Sequence, residues 1–106
     1  MSIKKEFSKD CYSLLKKVPL GKVTTYKEIA RALGTKAYRA VGNAMHKNPH
    51  APYVPCHRVV KSNGSIGGFA QGNERKKEML LNEGVEVIDG MIDLKRFLFR
   101  FDKREV

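Results

Sequence analysis

This sequence is short of acidic residues, of cysteine and of long apolar runs, and each shortage narrows what the chain can be. Asp and Glu together number 11 against 21 Lys and Arg, leaving a net charge of +10 on 106 residues. Such an excess on so short a chain favours a polyanionic partner, nucleic acid first, although a surface charged only for solubility gives the same count. The basic residues are spread along the whole chain, which disfavours a membrane-surface helix. No apolar run approaches the about 20 residues that a membrane span needs. Met1–Glu6 leads into no apolar stretch, so no signal peptide is expected. The two cysteines, Cys11 and Cys56, make no disulfide framework and fit a reducing, cytoplasmic compartment. Zinc takes about four ligands, usually in spaced pairs. Cys11, His46, His50 and His57 offer no such spacing, so neither metal nor cofactor is expected. Repeats, linkers and low-complexity stretches are also absent, which predicts one domain over residues 1–106 with one modest core, and a monomer.

What is present centres on Pro55-Cys56-His57-Arg58-Val59-Val60. Pro55 restricts the backbone entering Cys56. Val59-Val60 reads as a short buried strand. A thiol is a good nucleophile only as thiolate, which needs a base or positive charge nearby, and His57 and Arg58 are candidates for that influence. The plainer alternative is a small buried cysteine with no chemistry.

Upstream, Phe7, Cys11, Leu14, Leu15 and Val18 make one apolar stripe of a helix over residues 3–18, which places Cys11 in the core. Val23-Thr24 can form a brief extended segment. Thr25-Tyr26-Lys27-Glu28 has the form of a capping box that opens a short helix, and Gly34 closes it. Thr35 then caps a second helix. Ala37, Ala40, Val41, Ala44 and Met45 lie on one side of it, and Lys36, Arg39, Asn43, His46 and Lys47 on the other. Two short helices about a glycine turn make a helix-turn-helix, whose polar face suits a DNA groove. Asn48-Pro49 stops the second helix, and the Asn48 amide is suited to bracing a turn.

Beyond Val60, Lys61–Ser65 reads as a hairpin turn with Asn63-Gly64 as its cue. The glycine-rich run from Ile66 to Gly72, containing Phe69 and Ala70, fits no phosphate-loop spacing and reads as a substrate-lining loop. A helix from Asn73 runs to Gly84. Glu83 opposes that helix's dipole and shares the side of Met79 and Leu80. It is either turned inward onto a partner, with His57 the candidate, or solvated at a frayed end. The segment from Val85 onward turns at Asp89-Gly90. Alternation at Phe97, Phe99 and Phe101 favours an extended piece there, though helix and strand both remain open. The fold class expected is mainly α with small β elements (α+β), like a winged helix-turn-helix.

Thr25-Tyr26, Arg39-Ala40-Val41-Gly42, Asn48-Pro49, the hexapeptide and Glu83-Gly84 together resemble the O6-alkylguanine-DNA alkyltransferases (methylated-DNA–protein-cysteine methyltransferases). The similarity runs over residues 5 to 88. It implies that Cys56 accepts the alkyl group and that His57, oriented by Glu83, acts as base through a water. It implies that Tyr26 donates toward the extruded guanine and that Arg39 fills the gap left in the stack. Thr25, Lys36, Asn43, His46 and Lys47 would contact DNA; Asn48, Pro55 and Arg58 would shape the site; Met45, Phe69 and Ala70 would line the pocket. The implied partner is double-stranded DNA carrying O6-alkylguanine. The implied location is the nucleoid of a prokaryotic cytoplasm or a eukaryotic nucleus.

The sequence departs from that pattern at Phe69, where tyrosine is common, at Ala70, where serine is, and at His46, where arginine is. The family's separate N-terminal domain has no counterpart here. Two other readings compete. One is a non-catalytic alkyltransferase-like damage binder, but such proteins carry tryptophan where this chain has Cys56. The other is a winged-helix regulator with an inert cysteine.

Overall fold

A computed structural model describes residues 3–48, 54–66 and 73–101. The architecture is α+β, with helices α1 (Ile3–Leu15), α2 (Tyr26–Ala32), α3 (Tyr38–His46), α4 (Asn73–Asn82) and α5 (Leu94–Phe97). Two-residue strands β1 (Thr24–Thr25) and β2 (Val59–Val60) and a 3-10 turn at Cys56–Arg58 complete it.

The stripe on α1 is buried as its spacing predicts, with Cys11, Leu14 and Leu15 at 1% exposure or less and Phe7 partly buried, but the helix ends at Leu15 and Val18, equally buried, follows it. They pack with Ile29 and Ala30 of α2 and Val41, Ala44 and Met45 of α3 in one cluster that also reaches Cys56. Burial, with the Asp10 charge behind it, pushes the Cys11 thiol up to about 12, so this sulfur stays protonated as a packing group.

β1 and β2 pair in parallel, Thr24 with Val59 and Thr25 with Val60. A parallel pair needs a long crossover, and α2 and α3 lie within this one. The pairing sets the start of α2 beside the segment that follows Cys56. A second cluster, Val23, Val60, Ile66, Leu80, Val85, Ile92 and Phe97, packs around the strand region.

Gly34 ends α2 in a Schellman arrangement: Thr35 N donates to Ala30 O, Gly34 N to Arg31 O, and Gly34 takes φ +72°. Gly84 ends α4 in the same way. Val85 N donates to Leu80 O and Gly84 N to Leu81 O, with Val85 and Leu80 both buried. This fixes Glu83 at the last helical turn.

Several local expectations change. The capping box is half formed: Thr25 Oγ1 accepts from Glu28 N at 2.9 Å, but the Glu28 carboxylate binds Arg31 and Phe101 N instead of reaching back. Thr35 does not cap α3. Its hydroxyl accepts from Ala37 N, and Ala37 takes the N-cap position without a side-chain bond. Ala37 and Ala40 are exposed, so only Val41, Ala44 and Met45 form the buried side. The Lys61–Ser65 turn is present, with Gly64 at φ +93°, and a Cβ there would lie 2.7 Å from Ile92 O. The chain leaving it pairs with residues 88–92 through Ile66 N to Gly90 O and Ile92 N to Gly64 O, where a hairpin back along β2 was expected.

The C-terminal stretch is both things at once. Asp93 caps the four-residue α5, and beyond it Leu98 pairs in parallel with Val23. Phe97 and Phe101 are buried, and Phe99 meets Phe101 edge-to-face at 5.4 Å. Among the described residues no helix is long and apolar enough to cross a membrane. Phe69, Ala70, the glycines at 67, 68 and 72, and residues 49–53 lie outside the described residues.

Candidate functional site

The turn carrying Cys56 is built from backbone. Pro55, at φ −82° and ψ 69°, forms an inverse γ-turn closed by Cys56 N donating to Val54 O at 2.8 Å. Arg58 N then donates to Pro55 O, and Val59 leaves extended into β2. Asn48 Nδ2 adds a second donor to Val54 O at 2.7 Å. The end of α3 is thereby tied directly to the cysteine turn.

Cys56 is 7% exposed. Tyr12, Tyr26 and Lys76 lie near enough for its charge to act on their ionisation. Burial, then Cys56, raises the Tyr26 phenol, which therefore stays a donor at neutral pH.

The next residue, His57, is 2% exposed, and its Nε2 lies 2.7 Å from Glu83 Oε2. Glu83 also takes a two-pronged contact from Arg58: Nε to Oε1 at 2.8 Å and Nη2 to Oε2 at 3.0 Å. The remaining Arg58 arm donates to Val18 O. Burial raises Glu83, but the hydrogen bonds from Arg58 and His57, and their charges, hold it below the ordinary carboxylate range. Burial lowers His57, and the charges of Arg58 and Lys76 add to it; the bond and charge of Glu83 oppose this without reversing it. The imidazole is thus neutral at pH 7. With Nε2–H assigned as donor to the carboxylate, Nδ1 is an acceptor, and it is buried with no partner among the described residues. Glu83 is turned inward, the first of the two alternatives its position allowed. Arg58 serves as the clamp on that carboxylate, a partnership its sequence position did not reveal.

Lys76 is the residue that the sequence reading missed. It is fully buried, donates from Nζ to Val59 O at 2.7 Å, and burial brings it down to about 8 against the opposing pull of Cys56. A signal was there: Lys76, Met79, Leu80 and Glu83 fall at i, i+3, i+4 and i+7, one face of α4.

On the other side of the Asn48 tie, α3 presents Arg39, Asn43 and His46 to solvent, with Lys36 and Lys47 exposed beyond its ends. Thr25 does not join this exposed set; it is buried at 5% with its hydroxyl capping α2. Met45 is buried in the cluster that contains Cys56.

Residues 6–85 match the family model described as 6-O-methylguanine DNA methyltransferase, DNA binding domain. The chain belongs to this family. Its relatives include a protein of Picrophilus torridus named bifunctional methyltransferase/endonuclease, 46% identical over 83% of this chain and 30% of that protein. A methylated-DNA–protein-cysteine methyltransferase of Methanosarcina acetivorans is 48% identical over 74% of this chain and 51% of its own length. The chain thus spans about half or less of these relatives. Among solved structures, S. pombe Atl1, crystallised with damaged DNA containing O6-carboxymethylguanine, superposes with a TM-score of 0.82 at 35% identity. That match covers 95% of this chain and all of Atl1. The family places this chain among DNA-binding domains of DNA alkyltransferases and alkyltransferase-like proteins.

Proposed function

We propose that this chain binds duplex DNA through α2 and α3, takes an O6-alkylguanine out of the stack, and moves the alkyl group once and irreversibly to Cys56 Sγ. The observation that carries the reading is the neutral His57: Glu83 accepts from one ring nitrogen, and the other, one residue from the thiol, is an acceptor with no partner among the described residues.

The alkyl carbon is hidden within a duplex, so the nucleotide must be rotated out to react. Arg39, exposed on α3, fills the space it leaves. His57 Nδ1 takes the thiol proton through a water, and Glu83 stabilises the imidazolium that forms. Buried Lys76, held by Val59 O, lies near enough to Cys56 to pair with the sulfur once it has lost its proton. Sγ forms a bond to the alkyl carbon as the C–O6 bond breaks, and the electron pair stays on guanine. The Tyr26 hydroxyl donates to that leaving group as its charge develops. The product is a thioether that no group near Cys56 can cleave, so each molecule acts once.

Intact-mass measurement after mixing with an O6-methylguanine duplex, followed by peptide mapping, tests this. One added methyl on the Cys56 peptide is expected; modification of Cys11, or none, overturns it. Binding of the damaged duplex without mass change would leave the non-catalytic damage-binding reading, which the full-length likeness to Atl1 also supports.

A further inference from the structure

A cleft of about 950 Å³ among the described residues lies away from Cys56. It lies between the helix-turn-helix and the C-terminal segment, lined by Lys27, Lys36, Tyr38, Ser62, Lys95 and Arg100 among others. Its only acid is Glu28, and that carboxylate is already committed: Arg31 Nε and Nη2 and the Phe101 N–H all donate to it. Four exposed cations, Lys27, Lys36, Lys95 and Arg100, therefore face one cavity, and none makes an ion pair among the described residues.

Like charges held around a concave surface repel one another and concentrate potential there, which an anion relieves. The hydroxyls of Tyr38 and Ser62 add donors to the rim. Lys36 and Tyr38 belong equally to the approach of α3, so the cleft continues the surface that carries Arg39. Lys95 and Arg100 come from a part of the chain far from the helix-turn-helix in sequence. We infer that this cleft seats the phosphodiester backbone of the DNA strand flanking the lesion, so that the α5 segment is a second arm of the nucleic-acid interface. A cavity of this size would also hold a free nucleotide. The balance of the lining favours phosphates: Leu94, Leu98 and the exposed ring of Tyr38 offer some apolar surface for a base, but the four cations match a run of phosphates.

The inference rests on the DNA-binding reading above, and the experiment separates the two. The affinity of the full chain for a long duplex is titrated against salt for the parent, for K95Q/R100Q, and for K9Q/K77Q, which removes the same charge outside the cleft. Each lost phosphate contact flattens the slope of log K on log salt by about 0.9, so K95Q/R100Q should be flatter by about 1.8. K9Q/K77Q should keep the parent slope. An unchanged slope in K95Q/R100Q, an equal change in the control, or saturable binding of a mononucleotide that competes with duplex only when the cleft is intact overturns the inference. Failure of the parent chain to bind duplex at all overturns the DNA-binding reading instead.

Discussion

Glu83 shows how much one carboxylate can organise. It accepts three hydrogen bonds, from His57 and twice from Arg58, and through them sets a tautomer and pins a cation. Removing its charge leaves Arg58, whose side chain is 14% exposed, without its counter-ion. Breaking a buried pair on one side costs about 3–5 kcal/mol. Glu83→Gln should therefore lower unfolding free energy in urea by about 3 kcal/mol, and slow alkyl transfer by about 10²-fold or more, the scale of general base catalysis. The same groups predict acid sensitivity. His57 is depressed below its usual 6.5, so the unfolded chain binds the extra proton and stability falls as pH drops below that value. Glu83 and Glu28, held below their usual 4.5, add a further loss under that pH. Urea midpoints measured down this range should fall in both stages, and Glu83→Gln should shrink the lower one.

At the scale of elements, the join between α3 and the cysteine turn matters most. Among the described residues the side-chain amide of Asn48 spans it, Nδ2 donating to Val54 O. Val54 O is also the acceptor that closes the turn at Cys56 N. Asn48→Ala should cost at least about 1 kcal/mol of stability, the net value of the bond to Val54 O alone. Its larger effect should be kinetic: transfer from a damaged duplex slows while duplex affinity, which the proposed function assigns to the exposed face of α3, changes little. Equal losses in rate and affinity would show that Asn48 only supports the helix. Element ends were largely legible, because Thr25, Gly34 and Gly84 each act through a local backbone requirement. Two side chains were not: Glu28 and Thr35 had the right identities for capping, but other groups claimed them.

Over the whole molecule, Glu28 joins α2 to the far end of the chain. Its carboxylate takes the Phe101 N–H at 3.0 Å, and Arg31 donates to both Glu28 and Phe101 O. Burial raises this carboxyl, and the bonds from Arg31 and Phe101 bring it below the usual range nonetheless. Glu28→Gln removes that charge and weakens the clasp. A cost of about 1–3 kcal/mol is expected, seen as a melting temperature lower by about 4–8 °C per kcal/mol in a domain near this size. The α5 segment should loosen first, with faster amide exchange at Leu98 and Phe101 than in α1.

The sequence by itself determined the elements that depend on neighbours along the chain. The α1 stripe, the glycine-ended helices, the valine strand and the place of Cys11 in the core all follow from spacing and backbone preference. It also set the positive charge and the cluster of reactive residue types at 56–58. Only the tertiary structure decided which charges meet. Arg58 turned to Glu83, Lys76 was drawn beneath Val59, and Glu28 was spent on Phe101, because a buried charge takes whichever partner the packed fold brings within reach, and those partners lie 17 to 73 residues away.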